Sequence, residues 1–143
     1  MAMRYLRRAA TIMWAAPSSA VGALFAPFFR RRYITRGVLL CEGASWPRRL
    51  GWRYRAITFG RVVLSVDELD EGTFQHELVH VRQYDRWGPL FIPAYVLASI
   101  WARFSGRHHY RDNPFEVAAR GHGSHPGDNA TGSPVDAKGR STA

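Results

Sequence analysis

The sequence predicts an α+β fold: a small antiparallel sheet packed on one long helix, with further helices around it. Three observations carry this. Strand-like runs with glycine turns fill residues 31–66, a helical apolar period follows from Gly72 to Trp87, and apolar segments with proline and glycine breaks lie on either side. The chain divides into an apolar N-terminal segment (1–29), a domain (30–121) and a tail (122–143). The tail turns to Gly, Ser, Pro, Asp, Thr and Lys with few apolar residues, a composition that predicts disorder.

In chain order, residues 9–29 carry no charge and have about the length that crosses a bilayer core. Pro17, Ser18, Ser19, Gly22 and Pro27 dilute them, so a shallow helical hairpin broken near Pro17 is as compatible as a full span. A membrane-embedded or membrane-surface segment is the favoured reading. A cleaved signal peptide behind Arg4, Arg7 and Arg8 and a soluble core helix are the alternatives. Tyr33-Ile34-Thr35 and Val38-Leu39-Leu40-Cys41 flank Arg36-Gly37 as a hairpin. Two more runs, Tyr54–Phe59 and Arg61–Val66, meet at Gly60. The next helix begins at Gly72-Thr73 with Thr73 as N-cap, has acids near its start, and stops at Gly88-Pro89. Pro89–Trp101 reads as an apolar helix with one lipid-facing side. Asn113-Pro114 opens a last, short helix.

Charge is unevenly placed. The 143 residues have a formal net charge of +9, and before Asp67 the only acid is Glu42, against a field of arginines from Arg4 to Arg61. Such a field serves either nucleic acid or an anionic membrane surface. No recognition-helix, zinc-finger or RNA-binding motif accompanies it, so nucleic acid is not an expected partner. The apolar neighbours favour a membrane, with the cytoplasmic face as the expected location and the cytoplasm as the alternative. The single cysteine, Cys41, excludes an internal disulfide and a cysteine metal cluster.

The most specific stretch is His76-Glu77-Leu78-Val79-His80, an H-E-x-x-H pattern on the central helix. Residues four apart share a helix face, so both imidazoles can reach one ion while Glu77 addresses a water beside it. Imidazole is a good zinc ligand, and zinc brings the pKa of bound water to about 7. One zinc ion is therefore the expected cofactor, with Glu77 as general base. A catalytic zinc needs a third protein ligand. Asp85 is turned away from the histidine face, and Gln83 and Arg86 stand where the longer motif has glycine and histidine. Glu116, at the start of the last helix and followed by small residues, is the leading choice, with His108 and His109 as alternatives. Gln83 and Tyr84 share the His80 face and could bond a ligand or the substrate. Tyr110 is the first choice for a donor to the oxyanion of peptide hydrolysis.

The run from His76 to Leu90, with Pro93-Ala94-Tyr95 and Tyr110-Arg111-Asp112-Asn113-Pro114-Phe115-Glu116, resembles a family of small bacterial proteins regarded as zinc peptidases. More loosely it resembles the gluzincins, in which two histidines of H-E-x-x-H and a later glutamate bind zinc. The resemblance implies zinc at His76, His80 and Glu116, Glu77 as base, and a peptide or protein substrate. The chain departs from the larger gluzincins in having no large second domain and no histidine proton donor in a familiar motif. The expectation is a zinc metallopeptidase. The alternative is a non-catalytic, membrane-associated protein in which a four-ligand metal site staples helices together.

Overall fold

The computed structural model describes residues 2–51 and 54–121; the expected tail, 122–143, lies outside them. Its elements are α1 (Ala2–Phe25), β1 (Arg31–Thr35), β2 (Val38–Glu42), α2 (Trp46–Arg49), β3 (Ala56–Phe59), β4 (Val62–Ser65), α3 (Glu71–Trp87), α4 (Phe91–Phe104) and α5 (Pro114–Arg120). The class is α+β, as expected.

β1 and β2 form the hairpin at Arg36-Gly37, both with positive φ (50° and 76°), the twist that matches a tight two-residue turn. β3 and β4 form the second hairpin. The sheet is not wholly antiparallel, however. Its order is β1-β2-β4-β3, and β2 runs parallel to β4 with Leu39 opposite Val62 and Cys41 opposite Leu64. The reason is burial on both faces. Val38–Cys41 and Val62–Leu64 are continuous apolar runs suited to central strands. The segment containing α2 carries the chain across, so that these two strands become neighbours. β3 is left at the edge.

The two faces have separate cores. On one, Ala26, Phe29, Cys41, Val62 and Leu64 pack with Trp46. On the other, Val38, Leu40 and Val63 meet Phe74, Leu78 and Val81, the i, i+4, i+7 stripe of α3. The start of α3 is fixed by Asp70 rather than Thr73: Asp70 Oδ1 accepts from Thr73 N at 2.9 Å, and Thr73 Oγ1 donates back to Oδ2 at 2.7 Å. Glu42, buried in β2, accepts from Leu69 N and from Tyr33 Oη, which pins the loop entering α3.

α1 is one helix, not a hairpin broken at Pro17; the proline sits inside it. A proline costs a helix one N–H donor and crowds the preceding turn, and packing on the sheet offsets this. Ala15, Ser18, Gly22 and Ala26 are buried along one stripe. There Ser19 Oγ donates to Ala15 O (2.9 Å) and accepts from Arg61 N (2.9 Å). Gly60, at φ 60°, lies so close that a Cβ would stand 2.6 Å from Ser19 N and 2.8 Å from Ala15 O. These are backbone atoms and cannot swing aside. Gly60→Ala should therefore lower stability by roughly 2 kcal/mol or more, from left-handed strain and overpacking together. Thermal unfolding checks this, and an unchanged midpoint would show that α1 is not seated on the β3–β4 turn.

Candidate metal centre

α3 turns its sheet-facing stripe one way and His76, Glu77 and His80 another, toward α5 and the edge strand. All three are buried, as is Glu116 in the first turn of α5. Ligating atoms of His76, His80 and Glu116 lie within 4.8 Å of one another, a group that could hold one metal ion. The two Nε2 atoms are 3.2 Å apart; Glu116 Oε2 is 3.4 Å from His76 Nε2 and Oε1 is 3.5 Å from His80 Nε2.

Glu116, His80 and Glu77 are each held from behind. Asn113 caps α5 through Phe115 N (3.0 Å), while its Nδ2 donates to Tyr95 O (3.1 Å) and Ser99 Oγ (2.8 Å), tying α5 to α4. Tyr95 Oη donates to Glu116 Oε1 at 2.7 Å, which leaves Oε2 buried and without a hydrogen-bond partner of good geometry. A buried carboxylate that faces two imidazoles and has one oxygen under-satisfied is the expected mark of a cation site. Gln83 fixes the tautomer of His80. Its Nε2 donates to the Phe115 carbonyl (3.0 Å), which only accepts, so Oε1 faces His80 Nδ1 (2.8 Å) and that nitrogen carries the proton. Neutral His80 then points the Nε2 lone pair into the centre. Glu77 is set by the sheet: Thr58 Oγ1, on β3, donates to its Oε2 at 2.6 Å.

Electrostatics follow from this crowding. Burial pushes the Glu116 carboxyl up, but the two imidazoles and Tyr95 outweigh it and hold the group well below the usual carboxylate range. Burial pushes His80 down, yet Glu116, Glu77 and Gln83 together raise it above an ordinary histidine. Tyr110 is raised by burial, by the charge of Glu116 and a hydrogen bond with it, and by the Glu77 charge, so its hydroxyl stays protonated as a donor.

A cavity of about 290 Å³ opens beside the centre. β3 forms one wall, Tyr84 and Phe91 another, and Tyr54 and Tyr110, with ring centroids 5.7 Å apart, flank it. The structure thus brings His76, Glu77, His80, Glu116 and Tyr110 to one place. It does not bring the alternative ligands: His108 and His109 are exposed and stacked on each other, with His108 Nδ1 accepting from the Tyr110 and Arg111 amides. Asp85 is paired with Arg61 at 2.7 and 3.0 Å. Thr58 and Tyr95 are the functional neighbours that sequence reasoning missed. A lone threonine in an otherwise apolar strand was the signal for Thr58, and Tyr95 stood in the Pro93-Ala94-Tyr95 run without a role assigned to it.

Comparison with protein-family models, with curated proteins and with solved structures finds no match for this chain. Its functional reading therefore rests on its own geometry.

Two outcomes follow for metal binding. Gln83→Leu should weaken zinc affinity by about 10–100-fold, the usual cost of losing a partner behind a metal histidine. Competition with a chromophoric chelator measures this, and an unchanged affinity would remove Gln83 from the centre. Because a metal takes the unprotonated imidazole, the raised His80 pKa makes the proton a competitor. The His80 proton should cost affinity about tenfold per pH unit below the His80 pKa and nothing above it, so that this contribution breaks above the ordinary histidine value of about 6.5. Glu116, already ionised across this range, contributes no slope. A break below 6.5 would contradict the cluster as described.

Proposed function

We propose that this protein is a zinc-dependent peptidase. The observation that carries the reading is the conjunction of a buried His-His-Glu cluster with a carboxylate, Glu77, held at the same cavity by the edge strand. The donor set, two imidazoles and one carboxylate, matches what a catalytic zinc takes from a protein. Among the described residues the group contains no fourth His, Cys, Asp or Glu, which favours an open site over the closed four-ligand staple. When bound, the ion would polarise a substrate carbonyl and acidify water.

The remaining roles belong to side chains and backbone. Thr58 occupies Oε2 of Glu77, so Oε1 is the oxygen that takes a proton from the attacking water. The C–O bond forms as that proton leaves the water, and Glu77 then passes the proton to the amide nitrogen as the C–N bond breaks. Tyr110, kept protonated, donates to the carbonyl oxygen as it gains charge. β3 aligns the substrate. Val66 N donates to Arg55 O at 2.9 Å, and Ile57 and Phe59 lie opposite Leu64 and Val62. The alternation of an antiparallel ladder therefore turns the N–H and C=O of Ala56 and Thr58 away from β4, toward an extended peptide lying along the cavity.

Glu77→Gln should keep stoichiometric zinc while lowering peptide hydrolysis by about 10²–10⁴-fold, the range for loss of a general base. Metal analysis and a peptide-cleavage assay on the same samples read this; undiminished cleavage would reject the mechanism. Glu116→Ala should lose zinc far more readily than Asp85→Ala, and the opposite ranking would reject Glu116 as a ligand.

A further inference from the structure

The cavity shares a wall with the outside of the molecule. Ile92 and Val96 line it, yet they are 42% and 48% exposed. They belong to a helix that is apolar almost all round: only Phe91 and Ala102 of α4 are buried, Leu97, Ile100, Trp101 and Phe104 project outward, and no charge falls between Trp87 and Ala102. In water such a surface is a liability.

α1 shows the same inversion. Its packed face is made of small residues, Ala15, Ser18 and Gly22, continued by Ala26 just after it, while Leu6, Met13, Val21, Leu24 and Phe25 are exposed. Small residues inside and large apolar ones outside is how helices pack in lipid, and the reverse of a helix in a soluble core. The helical segment Met3–Phe28 is long and apolar enough to cross a membrane, and only 22% of its apolar window is buried. α1 and α4 are joined where the Trp14 ring packs against Gly88, at the turn leading into α4. Arginines stand at the ends of both helices: Arg4, Arg7 and Arg8 in the first turns of α1, Arg30, Arg31 and Arg32 after it, and Arg103 and Arg107 at the end of α4. A rim of guanidinium around apolar surface complements anionic headgroups above acyl chains.

The cavity lining matches. Among the described residues, His76, Glu77, His80 and Glu116 are the only carboxylic acids or histidines that line it, and no lysine, arginine or aspartate does. An aspartate of a substrate would lose its water there and meet no lysine or arginine among the described lining residues, and a lysine would meet only carboxylates already engaged in the centre.

We infer that the exposed faces of α1 and α4 seat in a bilayer containing anionic lipid. The cavity then opens toward lipid past Ile92 and Val96 and takes an apolar segment of a membrane-embedded polypeptide. What happens to that segment rests on the peptidase reading; its entry does not.

The test uses the full chain, zinc-loaded, with vesicles of phosphatidylcholine and phosphatidylglycerol. Flotation measures seating. A photo-crosslinking amino acid at Val96, in the Glu77→Gln background, measures entry of a leucine-alanine membrane peptide against a polar soluble peptide of equal length. Wild-type protein is assayed for cleavage of both. The protein should float with the vesicles, the exposed-face variant Leu97→Gln/Trp101→Gln should float less, and Val96 should label the membrane peptide at least about tenfold more than the polar one, the discrimination an apolar pocket supplies. Labelling without cleavage would sustain the inference and reject the peptidase reading. Protein left in the aqueous phase, equal labelling or cleavage of the polar peptide, or no labelling of either would overturn the inference; cleavage of the polar peptide would still leave the peptidase reading standing.

Discussion

Two imidazoles and a carboxylate buried within 4.8 Å of one another, with one carboxylate oxygen left under-satisfied, form an arrangement that desolvation opposes. The surrounding structure holds it in place. α3 supplies both histidines from one face, and α5 exists only as seven residues whose start is locked by Asn113. That asparagine also grips α4, and α4 returns Tyr95 to the same glutamate. Gln83 closes the ring by linking His80 to the α5 backbone. In a chain this small, an ion linking α3 to α5 would add to a modest apolar core.

The sheet serves the centre from the other side. Because β2 and β4 take the central positions, β3 is the edge strand of the sheet among the described residues, next to α3. Its Thr58 reaches Glu77, so a single strand both orients the proposed base and offers the edge on which a peptide could lie. Topology and chemistry meet at one residue.

How much of this the sequence disclosed depends on range. Local signals were legible: His76 and His80 at helical spacing, Arg36-Gly37 for the hairpin, Gly88-Pro89 for the helix stop, and Asn113-Pro114 for the start of the helix carrying Glu116. The N-cap was misplaced by three residues, because Asp70 and Thr73 both suit a cap and only their reciprocal bonds distinguish them. Non-local features were not legible. The parallel pairing of β2 with β4 needs a crossover that no short pattern encodes. Pro17 broke the helix on local propensity, whereas packing of Ala15, Ser19 and Gly22 against the β3–β4 turn keeps it whole. Thr58 and Tyr95 reach the centre across 19 and 21 residues of chain, and nothing in their own neighbourhoods announces it.

The central claim is that His76, His80 and Glu116 are the protein ligands of one open metal site. X-ray absorption on zinc-loaded wild-type protein and on Glu116→Gln tests it most directly. The account predicts one zinc per chain with two imidazoles, a carboxylate and one exchangeable solvent ligand, and a changed or lost site in the variant. Four protein ligands, or a spectrum unaltered by Glu116→Gln, would contradict it.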